Sequence, residues 1–193
     1  MSKNFLIWNR QYREGFCVIE NPENVEKQNL LLKGVTMKDI WPDDAYCKMS
    51  ASYPKDIQLS DNLYGSNFAV ISFHASESLQ SFAPNDEVEY LQVAIQNHKG
   101  RVASTDYFIM NPVSIVDCID QGKSGVVWNK IAKDRISSCE ELVLKDAAVP
   151  QSINIFRPRF MPKALVVRRN LATHLQSQGL SCLSFTELAE YRG

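Results

Sequence analysis

Asp117 and Asp120 stand three residues apart, a spacing at which two carboxylates can meet on one helical turn and share general acid–base work. Between them lies Cys118, a nucleophile if its thiol were ionised. Arg157 and Arg159 offer planar donor forks that suit a phosphate or a partner carboxylate. Each also has a plainer reading. A strand that closes in Asp-Cys-Ile-Asp ahead of Gln121-Gly122 needs acceptors for its backbone N–H groups, and aspartate supplies them; this is the favoured reading of the pair. Cys118, between Val116 and Ile119, reads as a packed thiol. The two arginines suit the anchoring of a loop through carbonyl contacts equally well, and both readings stay open. His74, His98 and His174 are isolated from one another, with no cysteine or histidine at chelating spacing, so no zinc site is expected. His174, beside the Leu171/Leu175 face, reads as a hydrogen-bonded or helix-boundary histidine. There is no G-x-S-x-G elbow, no phosphate-cradling glycine loop and no H-E-x-x-H, and no cofactor is expected.

The elements that must position these residues centre on Tyr107–Val116, apolar on both sides of a period-2 pleat at Tyr107–Met110 and again at Val113–Val116. That is how a strand covered on two faces reads, with Ile115 and Val116 both expected in the core. Leu91, Val93 and Ile95 alternate with Tyr90, Gln92 and Ala94 in a preceding strand, joined to the central one through Asn97–Gly100 as an antiparallel hairpin. Phe73–Phe82 reads as a helix capped by Ser72, with Ala75, Leu79 and Phe82 on one stripe. Residues 169–178 read as a second helix, with Leu171 and Leu175 on one face, Gly179 as its left-handed terminator and Leu180 folding back. Gly125–Trp128, Glu141–Leu144, Ile153–Phe156, Ala164–Val167 and Cys182–Phe185 are further strand candidates. Residues 1–65 are the least regular part, with short strands expected at Phe16–Ile19 and Leu30–Leu32 and a turn at Trp41–Asp44. Strands interrupted by isolated helices, without βαβ alternation, predict an α+β fold: a single domain over 1–193, mainly antiparallel sheet with a few short helices.

Composition narrows the function classes. A formal net charge of −1 argues against a nucleic-acid binder held by a basic surface, so no direct nucleic acid binding is expected. Five cysteines, an odd number without C-x-x-C spacing, point away from a disulfide framework and towards the cytoplasm. Phe5-Leu-Ile-Trp8 is too short for a signal-peptide core, and no run approaches a membrane span, so neither export by a cleaved signal nor membrane insertion is expected. Charge is locally uneven. Arg157, Arg159, Lys163, Arg168 and Arg169 share one acid-free window, and Asp43-Asp44, Asp86-Glu87-Glu89 and Glu140-Glu141 form acidic clusters. Solvated faces are the plain account of these; complementarity to a partner is the sharper one.

One combination is distinctive: Tyr-Phe-Ile-Met-Asn111, Val116-Asp117-Cys-Ile-Asp120, Trp128, Ile155-Phe156-Arg157, Ala164–Val167, Leu171, Leu175, Gly179-Leu180 and Phe185, preceded by Val70-Ile-Ser72 and Leu79. Together these residues resemble the eleventh family of immunity proteins from bacterial polymorphic-toxin systems. The likeness covers a core of residues 70–185, with Asn111, Asp117, Asp120 and Arg157 in its structural motif, and leaves 1–69 as a variable N-terminal part. Arg168 stands where that family usually has a serine-like helix cap. The resemblance implies a cytoplasmic, non-enzymatic protein that binds and neutralises a cognate secreted toxin domain, delivered by contact-dependent or type VI secretion in interbacterial competition. A toxin that acts in the cytoplasm suggests a nuclease. The alternative is a small enzyme or nucleotide-binding domain using Asp117, Asp120 and Arg157. Two surfaces are candidates for the toxin: an acidic one of Trp41, Asp43, Asp44 and Tyr46, and a basic loop with Arg159 and, at its tip, Phe160. The acidic surface is favoured, because carboxylates can imitate phosphate in a nuclease groove.

Overall fold

The computed structural model describes residues 3–192. In chain order its strands are β1 (Phe5–Arg10), β2 (Tyr46–Lys48), β3 (Asn62–Leu63), β4 (Ala69–Ser72), β5 (Val88–Gln96), β6 (Val102–Pro112), β7 (Ile115–Val116), β8 (Val127–Trp128), β9 (Ile136–Ser138), β10 (Ile155–Pro158), β11 (Val166–Arg168) and β12 (Leu183–Glu187). The helices are α1 (Phe73–Phe82), α2 (Gln121–Ser124) and α3 (Arg169–Ser177). One five-stranded sheet runs β12-β1-β11-β10-β7 and the other β2-β5-β6-β4-β3, while β8 and β9 form a separate ribbon. Pairing is antiparallel except at β10–β7 and β2–β5. The fold is a single α+β domain, rich in antiparallel sheet, with few short helices.

The β5–β6 hairpin is the longest pairing, turning through Asn97–Gly100 as the sequence predicts. On β6, Tyr107 and Ile109 face one core cluster and Met110 faces another, so this segment is covered on both sides. The stretch does not continue to Val116, however. Pro112 has no N–H with which to extend the ladder, so β6 ends there. The chain then crosses to the other sheet, where Ile115 and Val116 pair with Arg157 and Pro158. The expectation that both are core residues is corrected: Val116 is buried, but Ile115 is 43% exposed. Accordingly Val116→Ala should cost about 2 kcal/mol and Ile115→Ala no more than about 0.5 kcal/mol in urea unfolding. Equal losses would mean that the crossing is misplaced.

The strand that the sequence hid is β1. Phe5-Leu-Ile-Trp8 is apolar on both pleat faces because it lies between two cores: Leu6 and Trp8 meet the cluster shared with α1 and α3, and Phe5 and Ile7 meet the one around Phe156. In consequence β1 is flanked by β11 and β12 rather than at an edge. Three other expectations are corrected. Leu30–Leu32 belongs to a 3₁₀ turn, Gln28–Lys33, that buries Leu31. Glu141–Leu144 forms only a single bridge, Leu144 to Ile119, and Phe16–Ile19 only isolated bridges. Val127–Trp128, the remnant of the Gly125–Trp128 candidate, is exposed.

Both long helices form as expected. The Ser72 hydroxyl accepts from Ala75 N at 3.1 Å at the start of α1. Arg168 gives α3 no side-chain cap; its guanidinium donates instead to Ile153 O (2.7 Å) and Pro150 O (2.8 Å). Gly179, at φ +71, lets the chain leave α3 in the left-handed region.

Candidate functional site

The acidic surface lies at the β2 edge of the second sheet. The indole of Trp41 donates to Gln92 O at 2.7 Å, which pins the half-buried ring against the core. Asp43 and Asp44 are exposed on the following turn. Asp44 accepts from the Asn24 side chain at 2.9 Å, and Asp43 has no hydrogen bond or ion pair among the described residues. The Tyr46 hydroxyl donates to Glu23 at 2.7 Å, and Lys48 closes on the same carboxylate at 2.8 Å. Hydrogen bonds from Lys48 and Tyr46 hold Glu23 below its ordinary value, and the same bond to Glu23 raises the Tyr46 phenol. The two aromatic residues that flank Asp43-Asp44 in sequence are thus each held by a hydrogen bond.

The basic loop is less open than its composition suggests. Arg157 is buried, so its charge is not on that surface. Arg159 is exposed but committed: it pairs with Asp117 at 3.4 Å and lies over the Phe160 ring at 5.4 Å. Phe160 is half-buried, edge-on to Trp128 with centroids 5.3 Å apart.

Each of the four motif residues has partners within the protein. Asn111 donates to Glu89 (2.9 Å) and Val35 O (3.0 Å) while its own carbonyl faces the Arg157 fork at 3.5 Å. Arg157 reaches Pro112 O (2.9 Å) and Pro162 O (2.6 Å), and burial lowers its pKa to about 10. Of the two readings open for Arg157, the structure has the carbonyl anchor. Around it the backbone is tight: a Cβ at Gly34 would come within 2.8 Å of the Arg157 stem, at φ +65. Asp120 caps α2, accepting from Lys123 N at 3.3 Å. Asp117 departs from expectation, since its carboxylate meets Arg159 rather than backbone N–H groups. No hydrogen bond or ion pair joins any two of Asp117, Asp120 and Arg157. Burial raises the Cys118 thiol to about 12, which leaves it protonated and inert at neutral pH. His174 bonds to Ser78 Oγ at 3.3 Å and stacks on Phe82, with centroids 4.8 Å apart.

Three carboxylates matter more than their sequence context suggests. Asp86 accepts from Asn154 N (2.9 Å) and Ile155 N (2.8 Å), and so ties the start of β10 to the β5 hairpin. Glu89 receives Met37 N (2.9 Å), Lys38 N (3.3 Å), Asn111 and the Thr36 hydroxyl. Asp61 receives Ser72 Oγ (2.7 Å), Ser181 N (2.8 Å) and Ser181 Oγ (2.7 Å), joining β4 to the segment after α3. Two of the three belong to a run that looks like a solvated acidic cluster. Also unforeseen is a group of exposed tyrosines: Tyr12 lies 5.7 Å from Tyr53 and 5.8 Å from Tyr64, ring to ring. Nothing in positions 12, 53 and 64 signals that they meet.

Among the described residues no group of three or more His, Cys, Asp or Glu side chains could hold a metal ion, and no helix is long and apolar enough to cross a membrane. A sequence model described as an immunity protein family (Imm11) matches residues 23–190, beginning well before Val70. Comparison with curated proteins finds no match.

Proposed function

The chain belongs to the Imm11 immunity protein family, and from that premise we propose that it binds a cognate secreted toxin domain in the cytoplasm and neutralises it without catalysis, protecting the producing cell and its kin. The family match over residues 23–190 is the observation that carries this reading. The toxin would belong to a polymorphic-toxin system delivered by contact-dependent or type VI secretion, and we favour a nuclease. A nuclease must present a basic substrate groove, and Asp43 and Asp44 are carboxylates that, among the described residues, no basic side chain neutralises. Trp41 and Tyr46, held by Gln92 O and Glu23, supply apolar area at little cost in side-chain entropy. Arg159, with Phe160, is the weaker candidate, because binding through it would first break its pair with Asp117.

The partner is sought in the gene immediately upstream, expected to encode a large toxin-bearing protein. Calorimetry against that purified toxin domain tests the surface. Asp43→Ala/Asp44→Ala should weaken binding by more than about 2 kcal/mol, as interface hot spots do, and Arg159→Ala by less than about 1 kcal/mol. The reverse order would make the basic loop the inhibitory surface. Incubating the toxin with DNA, RNA and NAD tests its class: nucleic acids left intact while NAD is consumed would exclude a nuclease.

A further inference from the structure

A cavity of about 60 Å³ lies inside the seam where β1, β6 and β10 meet the Gln28–Lys33 turn. Its lining includes Arg10, Arg157, Lys163 and Asn67 among apolar walls such as Trp8 and Met110, and no carboxylate. Such a gathering of cations is not a reflection of the whole chain, whose net charge is −1. We propose that this cavity is a binding site for a small tetrahedral oxyanion, of which inorganic phosphate is the simplest.

Arg10 is half-buried, and its Nη1 donates to Ser66 O and to Phe68 O (2.9 Å). Among the described residues its Nε and Nη2 have no acceptor, so three N–H donors face a guest. Arg157 is 4% exposed and contributes field rather than free donors, since its fork is held by Pro112 O, Pro162 O and Asn111. Among the described residues neither arginine meets a carboxylate, so two substantially buried positive charges are solvated by neutral oxygens alone. Burial lowers both guanidinium pKa values, and at Arg10 it outweighs an opposing contribution from Tyr64. Water in the cavity would satisfy donors but would leave that charge uncompensated; an oxyanion does both. Size agrees. A buried water needs roughly 10–15 Å³ of such space, so the cavity has room for about four to six waters, enough for one small oxyanion. Lys163 lines the cavity yet is solvent-exposed, which marks the side of entry.

Calorimetric titration of the intact protein with sodium phosphate, at ionic strength fixed with sodium chloride, tests the site. Saturable one-to-one binding is expected, with a Tm that rises with the logarithm of phosphate concentration. Arg10→Met should weaken binding at least about tenfold, the loss expected when charge-assisted hydrogen bonds disappear. Lys163→Met, a change at an exposed residue, should weaken it several-fold and decides the matter should Arg10→Met fail to fold. Phosphate also stabilises proteins generally by exclusion from their surface. Absent saturable heat in the wild type, or a thermal response in the variants equal to that of the wild type, overturns the site. Adenosine monophosphate is the size control: binding as tight as that of phosphate would refute an enclosed oxyanion pocket.

Discussion

Arg157→Met should destabilise the protein by about 3 kcal/mol, because a buried donor serving three neutral acceptors is lost. Removing the guanidinium strands Pro112 O, Pro162 O and Asn111 Oδ1, and each orphaned acceptor costs about 1–3 kcal/mol. Relief from holding a charge in a low-dielectric site offsets part of that sum. The methionine stem fills similar space, so cavity formation adds little. Urea unfolding followed by circular dichroism checks the result, with an unchanged m-value as the sign that the same structure unfolds. Under the proposed function, protection should fall because less folded protein is present, while the folded fraction still binds. A loss below about 1 kcal/mol would show that Pro112 O, Pro162 O and Asn111 find water instead.

Glu89→Ala comes next, at about 3 kcal/mol. It leaves Met37 N, Lys38 N, Asn111 Nδ2 and the Thr36 hydroxyl without their acceptor, and it frees the 34–38 segment from β5. The variant should also change the acid limb of stability. Burial opposes ionisation of Glu89, but hydrogen bonds from Thr36, Met37, Asn111 and Lys38 outweigh it and hold the carboxyl below its ordinary 4.5. A carboxyl depressed in the folded state stabilises above its unfolded pKa, and that contribution is lost as pH falls through the folded pKa. The wild type should therefore lose stability steeply below about pH 4.5, and Glu89→Ala should show a shallower fall over the same window. Asp61 acts in the same direction: Ser181, Ser72 and His74 outweigh its burial and hold it below 3.8. An acid limb identical in Glu89→Ala and wild type would mean that Glu89 is not charged through these contacts.

Local patterns were legible where one physical rule dominated. The α1 stripe, the Ser72 cap, the Gly179 terminator and the β5–β6 hairpin each follow from spacing alone. The central stretch misleads because apolar periodicity runs through Pro112 without showing that the strand changes sheets there. Phe5–Trp8 escapes notice because a four-residue apolar run has no period to read, and its strand partners lie more than 150 residues away. The same distance conceals the carboxylate anchors. Asp86 and Glu89 look like surface acids because nothing local shows that Ile155 N and Met37 N point at them. In the candidate site, the pairing of Trp41 and Tyr46 with Asp43 and Asp44 was visible as adjacency. The withdrawal of Arg157 from the basic loop was not, since composition cannot tell an exposed guanidinium from one bonded to carbonyls.

The placement of β1 between β11 and β12 sets a timetable for synthesis. The second sheet can assemble as soon as β6 leaves the ribosome, because β2 to β6 are contiguous in the chain. Phe5–Trp8 must instead wait for partners about 160 residues further on. At ~5–20 residues per second, roughly 8–30 s pass with that apolar segment emerged and unpaired. During this interval the nascent chain carries a sticky amino-terminal strand beside an already folded sheet. Nascent-chain chaperones should therefore engage it there, and release should follow only when β11 clears the exit tunnel. Closure of the first sheet is thus among the last steps of folding, because Phe5–Arg10 gains its two neighbouring strands only when synthesis is nearly done.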